Sequence, residues 1–304
     1  MQVKILGSAA GGGFPQWNCA CANCSALRRG QFRGKPRFQT QVAVSAVGDC
    51  WFLLGASPDL RSQIESCAEL HPRGGIRSSP IGGVVLVGAD LDHALGLLLL
   101  REFQRLQVWA AASTIDILRG NSMFRMLNRV EDQVHWNPIH PSESLSLLSV
   151  SGKDSGITCR ALPLSSRQPA YAKTTSQSEE AALGLVLTSP SGKTLGFFPQ
   201  LPKLTVELKN LFAALDCLLL DGTFWSDDEL VQLHGEGQRA TEMGHIPVGG
   251  EQGTLRQLAE LTKPRRMYIH INNTNPMLNE AGDEYRCVRE AGWDLAEDGC
   301  HFTL

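Results

Sequence analysis

The chain has 304 residues, of which 42% are hydrophobic and 19% charged, a balance that supports a sizeable folded core. A formal net charge of −3 and a pI near 6.2 provide no basic footprint for nucleic acid or for a membrane surface. The apolar runs are far shorter than the roughly 18–20 residues that span a bilayer, and glycine interrupts the first of them. We therefore expect a cytoplasmic protein without a signal peptide, a nucleic-acid partner or a membrane anchor.

Strand and helix patterns alternate along the chain. Short β-prone runs bounded by turn residues predict strands over 1–6, 40–47, 50–56, 84–87, 106–111, 157–164, 180–189, 193–199, 215–222 and 265–271. Helical patterns fall over 57–70, 94–106, 113–128, 249–262 and 279–292. The first helix opens on Ser57-Pro58, the pattern of an N-cap followed by proline. A polar block over 164–182 predicts a loop. This alternation predicts an α/β fold in a single domain over 1–304.

Three of the nine cysteines fall within six residues, at Cys19, Cys21 and Cys24. Clustered thiols in a reducing cytosol favour metal binding over disulfides. Zinc binds thiolates tetrahedrally, and three sulfurs on one loop can hold one face of such an ion. The cluster therefore predicts a structural zinc site whose fourth ligand comes from elsewhere, and a coincidental or reactive cysteine cluster is the alternative.

A second candidate site follows the predicted strand over 84–87. Asp90, Asp92 and His93 lie between that strand and the next helix, where α/β folds present functional groups. Asp and His at adjacent positions can coordinate one metal ion from a tight turn. The alternative for Asp92 is a helix N-cap.

Three further candidates lie in the second half of the chain. His270 ends a predicted strand and leads into an asparagine-rich turn, Asp221 ends an apolar strand, and His245 lies in a glycine- and proline-containing loop. A lone histidine is usually structural, and Asp221 fits a turn residue, a ligand or a general base. The residues alone leave these roles open.

The order of these features resembles the metallo-β-lactamase superfamily: a strand, an Asp-His loop, a helix, a later Asp after a strand and a final His after a strand. The signature of that superfamily is His-x-His-x-Asp-His. In the matching window Asp92 and His93 agree with the signature, whereas Gly88 and Asp90 replace the first two histidines. The resemblance implies an αββα sandwich of two mixed sheets flanked by helices.

A second departure lies downstream, where Pro199 and Gln200 stand in place of the expected metal-bridging Asp. A complete two-zinc hydrolase site needs about four ligands per ion and a bridging group. The two departures together favour one metal ion over two.

A closer resemblance is to one branch of that superfamily, the B-protein family of pyrroloquinoline quinone (PQQ) biosynthesis. It rests on "GSAAGGGFPQWNCACANC", "GASPDLRSQI", "LDHALGLLLLRE", "LLLDGTFW", "MGHIPVGG" and "YIHINNTNPML", which span nearly the whole chain. A related phosphodiesterase of phosphonate degradation has the same cysteine loop and closes its zinc site with a His at the position of Asn273. The resemblance thus offers Asn273 as the fourth zinc ligand, with another residue as the alternative.

This resemblance implies a role in making PQQ, a cofactor derived from a Glu and a Tyr of a small precursor peptide. The implied partners are PQQ or its Glu-Tyr-derived precursor, the other PQQ-biosynthesis proteins and a second copy of the chain. Asp92, His93 and His270 would supply one carboxylate and two imidazoles, the ligand set typical of non-haem Fe(II) oxygenases.

We therefore expect Zn²⁺ at the structural site, Fe²⁺ at the active site, and O₂-dependent hydroxylation of a tyrosine-derived ring. Asp90 is a candidate fourth ligand or supporting group, and His245 and Asp221 are candidates for substrate contact or proton transfer. Two alternatives stay open. One is a carrier that binds PQQ or its precursor without catalysis, and the other is a metal-dependent hydrolase.

Overall fold

The computed structural model describes residues 1–102, 104–141, 143–172 and 180–304, the side chain of residue 234 aside. Residues 173–179 of the predicted polar loop lie outside these ranges. The chain is divided into two compact units, each built from non-contiguous segments. The first comprises Met1–Gly7, Gln41–Thr194 and Gly299–Leu304, and the second comprises Ser8–Thr40 and Leu195–Asp298. The single domain expected over 1–304 stays a prediction.

The described residues form fourteen strands and eight α-helices. The strands are β1 (Gln2–Gly7), β2 (Gln41–Ser45), β3 (Trp51–Leu54), β4 (Ile81–Val85), β5 (Leu106–Ala111), β6 (Val134–Ile139), β7 (Ser144–Leu148), β8 (Asp154–Ser165), β9 (Ala182–Thr188), β10 (Thr194–Phe198), β11 (Cys217–Asp221), β12 (Arg265–Ile269), β13 (Asp294–Leu295) and β14 (His301–Thr303). The α-helices are α1 (Ala22–Arg28), α2 (Leu60–Glu65), α3 (Leu91–Ala94), α4 (Ala112–Gly120), α5 (Val206–Ala214), α6 (Glu229–His234), α7 (Thr254–Gln257) and α8 (Asp283–Glu290). Shorter 3₁₀ helices span Ala68–Leu70, Leu95–Leu100, Phe124–Asn128, Thr241–Met243 and Pro276–Leu278.

The first unit contains a mixed sheet with the strand order β14-β1-β2-β3-β4-β5-β6. The pairs from β14 to β3 are antiparallel and those from β3 to β6 are parallel. Every residue of β2, β3 and β4 is buried, as expected for central strands with apolar side chains. Strands β7, β8 and β9 pair antiparallel in the same unit.

The second unit contains the parallel ladder of β10, β11, β12 and β13. Large aromatic side chains fill its interior: Phe198 meets Phe212 edge-on at 4.8 Å, and Tyr268 stacks on Trp293 at 4.4 Å. Strands β11 and β12 run in register, with Asp221 opposite Ile269. Their carboxyl ends therefore meet at one edge of the ladder, where parallel sheets present functional groups.

The predicted strands are all present, although β4 lies about three residues earlier than the expected 84–87. The predicted helices are shorter than expected. The helix over 94–106 is wrong for residues 101–102 and 104–106, and residue 103 lies outside the described ranges. The stretch Leu95–Leu100 is a 3₁₀ helix, and β5 begins at Leu106. The amide of Gly96 donates to the carbonyl of Ala56 at 2.8 Å, which removes it from any α-helical ladder.

The predicted N-cap at Ser57 is also wrong. Helix α2 begins after Asp59, two residues later. The Ser57 hydroxyl instead donates to Oε1 of Gln63 at 2.9 Å and accepts from the Asp59 amide at 3.1 Å. Strands β6 and β7 and helices α1, α5 and α6 were not indicated by the sequence patterns. Among the described residues, the helices are too short or too polar to traverse a bilayer.

Gly83 in β4 lies where the sheet leaves no room for a side chain. A Cβ atom at this position would lie 2.4 Å from Cζ3 of Trp109 and 2.7 Å from the backbone oxygen of Gln107 in β5. Because that oxygen belongs to the sheet, we expect Gly83→Ala to lower the free energy of unfolding by about 1–3 kcal/mol. Urea titration monitored by circular dichroism measures the change.

Gly120→Ala is the matched control, because no atom lies within 4 Å of the added Cβ at the end of α4. This variant should unfold at the same or slightly higher urea concentration than the wild type. A Gly83→Ala protein as stable as Gly120→Ala would contradict the steric argument.

Candidate functional site

The three clustered cysteines converge at the start of α1. Their sulfurs lie within 4.8 Å of one another. Cys21 is the N-cap of α1, and its sulfur accepts from the amide of Cys24 at 3.5 Å. The sulfur of Cys19 accepts from the amide of Cys21 at 3.4 Å. The turn into the helix therefore directs all three sulfurs to one point, in a geometry suited to a soft cation.

Asn273 lies against this sulfur triangle. Its Nδ2 is 3.1 Å from the sulfur of Cys19, 3.7 Å from that of Cys21 and 3.3 Å from that of Cys24. In a tetrahedral zinc site, with Zn–S near 2.3 Å and Zn–O near 2.0–2.2 Å, each sulfur–oxygen edge is about 3.5 Å. The end of the Asn273 amide therefore occupies the fourth corner of a tetrahedron. A 180° rotation of the amide exchanges its nitrogen and oxygen and presents Oδ1 to the ion.

The environment of the thiols affects their ionisation unequally. Burial opposes ionisation of Cys19, but hydrogen bonds from the Cys21 amide and from neighbouring side chains hold its pKa below the usual range. Burial raises the pKa of Cys21 to about 11, and the adjacent thiols of Cys19 and Cys24 add to this effect. A bound cation is therefore required to ionise Cys21 near neutral pH.

The Asp-His pair of the first unit lies within α3. Asp92 Oδ2 is 3.9 Å from Nε2 of His93, and His93 is buried whereas Asp92 is partly exposed. Asp90 is the N-cap residue of α3, and its carbonyl accepts from the His93 amide at 3.0 Å. The alternative that Asp92 is the N-cap is therefore wrong. The carbonyl of His93 accepts from the Ala56 amide at 2.7 Å, which ties this helix to the end of β3.

Tyr171 contacts the loop that precedes α3 and was missed by sequence reasoning. Its hydroxyl donates to the carbonyl oxygen of Ala89. Burial raises the pKa of Tyr171 to about 12, with the negative charge of Asp90 contributing. The phenol therefore stays protonated and fixes the loop that precedes α3. No sequence motif marks Tyr171, because it comes from a distant polar segment.

A buried hydrogen-bond cluster surrounds Thr223 in the second unit. Its Oγ1 is 2.6 Å from Oδ1 of Asp221, 2.8 Å from Nδ1 of His270 and 3.1 Å from Nδ1 of His245. Oδ2 of Asp221 accepts from Nδ1 of His245 and from the amide of Leu201, both at 2.8 Å. The two imidazoles are stacked with their centroids 5.6 Å apart.

The donor atoms of Asp221, His245 and His270 are close enough together to suggest a metal site of their own. The Thr223 hydroxyl lies between them at hydrogen-bonding distances, however, and it occupies the centre where an ion would bind. The cluster around Thr223 is therefore a hydrogen-bond network.

The network determines the tautomers of both histidines. The Thr223 hydroxyl has one proton, and its shortest contact is to the carboxylate of Asp221, which is the strongest acceptor in the cluster. Its oxygen then accepts from Nδ1–H of His270, and Asp221 accepts from Nδ1–H of His245. Both rings consequently carry their proton on Nδ1 and have an unprotonated Nε2, the form that binds a metal ion or accepts a proton.

His270 has the backbone conformation φ +60°, which is uncommon for a residue with a side chain. The surrounding bonds explain why it is tolerated: the Ile271 amide donates to the Ser8 carbonyl at 2.9 Å, and the Asn272 amide donates to the Thr223 carbonyl at 3.0 Å. These contacts fix the direction in which the imidazole leaves the end of β12.

The sequence-predicted residues thus form three groups. The cysteines group with Asn273, Asp92 groups with His93, and Asp221 groups with His245 and His270. The combination of Asp92 and His93 with His270 stays a prediction, because these residues belong to different units. Thr223 was missed, and the only signal for it was its place two residues after Asp221 in "LLLDGTF".

Substitution of Thr223 tests the tautomer assignment. In chelator-treated protein, Thr223→Val should reduce the Nδ1–H population of His270, because the acceptor oxygen is removed. His245 should keep its Nδ1–H, because Asp221 is its partner. Long-range ¹H–¹⁵N correlation spectra of the imidazoles measure both tautomers, and Thr223→Ser should preserve the wild-type pattern. An unchanged His270 tautomer in Thr223→Val would refute the assignment.

Comparison with known proteins identifies the relatives of the chain. Residues 50–271 match the beta-lactamase superfamily domain. The chain is 40% identical to coenzyme PQQ synthesis protein B of Gluconobacter oxydans over 304 residues, which cover 100% of this chain and 99% of the relative. It is 38% identical to the protein of that name from Nitrosococcus oceani over 314 residues, covering 100% of both.

A solved structure agrees with these matches. The crystal structure of Zn²⁺-bound PqqB from Methylobacterium extorquens superposes with a TM-score of 0.92 at 36% identity, covering 100% of both chains. The comparisons confirm the expected metallo-β-lactamase fold of two mixed sheets flanked by helices. The chain belongs to the coenzyme PQQ synthesis protein B family, within the beta-lactamase superfamily.

Proposed function

We propose that this protein acts in PQQ biosynthesis as a metal-dependent oxygenase that hydroxylates a tyrosine-derived ring of the Glu-Tyr precursor. The family relationship supports the pathway. The observation that supports the chemistry is the hydrogen-bond network around Thr223, which holds the His270 imidazole through Nδ1 and assigns the proton to that nitrogen, so that Nε2 is the nitrogen able to bind a metal ion.

The proposed ligands of the active-site metal are Asp92, His93 and His270. One carboxylate and two imidazoles fit Fe(II) and leave coordination positions for O₂ and substrate. Bound Fe(II) would supply the activation of O₂. We propose Asp90 as a fourth ligand or supporting group, because it occupies the N-cap position of the helix that carries Asp92 and His93.

The proposed proton acceptor is His245, supported by Asp221. Ring hydroxylation proceeds more readily on a phenolate, so the phenol needs a base that works near neutral pH. The Asp221 carboxylate accepts from Nδ1 of His245 at 2.8 Å, and it would stabilise the imidazolium that forms when Nε2 takes the proton. The ring of His245 meets Phe224 edge-on at 5.9 Å, which restricts its rotation.

The overall reaction defines what the assay must contain. Each hydroxylation places one oxygen atom of O₂ on the ring carbon and converts the other to water. Two electrons and two protons are consumed, so a reductant is required. Ascorbate can serve as this two-electron donor.

The oxygenase proposal predicts O₂ uptake after anaerobic reconstitution with Fe(II), in the presence of a Glu-Tyr dipeptide and ascorbate. Mass spectrometry should show a product with one added oxygen atom, labelled when ¹⁸O₂ is supplied. Asp92→Ala/His93→Ala and His270→Ala should each reduce the rate to the metal-free background. Asp116→Ala/His301→Ala, which alters exposed residues of the same types, should retain wild-type activity.

Two results would contradict this proposal. Normal turnover by Asp92→Ala/His93→Ala would exclude these residues as ligands. Tight binding of PQQ without O₂ uptake in any reconstituted sample would favour the carrier alternative.

We propose that Cys19, Cys21, Cys24 and Asn273 hold a structural zinc ion. The support is the sulfur triangle and the position of the Asn273 amide at its fourth corner. A zinc ion here would link the loop before α1 to the turn that follows His270. Its role would be to stabilise that turn, outside the chemical step.

Elemental analysis of variants tests the zinc proposal. Cys24→Ser and Asn273→Ala should lose zinc during dialysis against a mild chelator, whereas Asn273→Asp should retain it, because a carboxylate supplies an oxygen ligand at the same position. Cys287→Ser, which alters an exposed cysteine outside the cluster, is the control. Full zinc retention by Asn273→Ala would exclude Asn273 as the fourth ligand.

A further inference from the structure

Two neighbouring segments of the first unit share an exposed apolar surface. Residues 91–101 include α3 and the 3₁₀ helix Leu95–Leu100, and residues 123–130 include the 3₁₀ helix Phe124–Asn128. The inner sides of both segments contribute to one hydrophobic core through Leu97, Phe124 and Leu127. Their outer sides are therefore adjacent on the surface.

Six large apolar side chains of these segments are between 36% and 66% exposed. They are Leu91, Leu95, Leu99, Met123, Met126 and Val130. Single exposed apolar residues are normal on protein surfaces, but a concentration of this kind marks an interaction site. Exposed methionines adapt to partners of varied shape, because their side chains are flexible and polarisable. We call these six residues, together with Arg101, Arg125 and Arg129, the leucine–methionine face.

The charge of this face is positive. Exposed Arg125 and Arg129 alternate with its apolar residues, and Arg101 ends the first segment. Arg101 pairs with Glu102 at 3.4 Å. Residues 91–101 and 123–130 together contain three arginines and one acidic residue, Asp92. The face therefore complements a surface that combines apolar side chains with carboxylates.

We infer that the leucine–methionine face binds an acidic, amphipathic segment of a partner polypeptide. Apolar side chains of that segment would cover the leucines and methionines, and its carboxylates would pair with the arginines. A second copy of this chain fits less well, because a two-fold contact would place the arginines of one copy against those of the other. Leu91 directly precedes Asp92, so a bound partner would contact the helix that carries Asp92 and His93.

This inference does not depend on the oxygenase proposal, and binding tests it without activity. Two fluorescein-labelled helical peptides of about 18 residues serve as probes. Both place leucine along one face, and the polar positions hold glutamate in one and lysine in the other. Fluorescence anisotropy should show at least tenfold tighter binding of the glutamate peptide, weakening as salt increases.

Substitutions locate the binding surface. Met123→Glu/Met126→Glu should weaken binding of the glutamate peptide at least tenfold. Val47→Glu/Val206→Glu adds the same charges at exposed apolar positions outside the face and should have little effect. Arg125→Glu/Arg129→Glu should reverse the preference towards the lysine peptide. That gain of binding also shows that the variant is folded.

Several results would overturn the inference. Equal affinity for the two peptides, or equal loss in Val47→Glu/Val206→Glu, would remove the basis for a specific acidic partner. Sedimentation of a wild-type dimer and a Met123→Glu/Met126→Glu monomer would assign the face to self-association. Binding to anionic phosphatidylserine vesicles that the same variant abolishes, without peptide binding, would assign it to a lipid surface.

Discussion

The hydroxyl of Thr223 organises the second unit around one buried carboxylate. Asp221 is fully buried at the end of β11, and such a charge is costly unless every oxygen is hydrogen-bonded. The amides of Leu201 and Thr223, the Thr223 hydroxyl and the His245 ring satisfy its two oxygens. The same hydroxyl accepts from His270. The carboxylate therefore sets the orientation of two stacked imidazoles, one directly and one through a neutral hydroxyl.

The turn that follows β12 connects this cluster to the cysteine loop. Asn275 donates to the carbonyls of Gly222 and Thr223 at 3.0 and 3.3 Å, and Asn23 donates to the carbonyl of Asn273 at 3.2 Å. These bonds hold the turn from both sides while His270 keeps its left-handed backbone. A zinc ion at the cysteines would add a third restraint through Asn273. Under the zinc proposal, such an ion would support the orientation of His270 that the hydrogen bonds of Ile271 and Asn272 already set.

The sequence was informative where a residue type and a spacing define chemistry by themselves. The close spacing of Cys19, Cys21 and Cys24 predicted that their sulfurs converge. The apolar strand patterns predicted that Asp221 and His270 lie at strand ends. The prediction of an α-helix over 94–106 was wrong, because an apolar run does not distinguish an α-helix from a 3₁₀ helix. Here the Gly96 amide bonds outside the segment and favours the 3₁₀ form. Thr223 and Tyr171 could not be found, since their roles depend on partners that only the fold brings near. The resemblance to a known family, carried by long matching segments, contributed more to the fold than periodicity did.

One departure from the superfamily signature, the glycine at position 88, is matched by the local backbone of the first unit. Gly88 stands where the first signature histidine is expected, and it forms an isolated bridge with Ala182. A Cβ atom at Gly88 would lie 2.9 Å from the carbonyl oxygen of Ala181, so a larger residue requires a shift of the backbone just before β9. The glycine at position 88 therefore fits the local backbone, which supports the proposal of one active-site metal over that of a two-metal hydrolase.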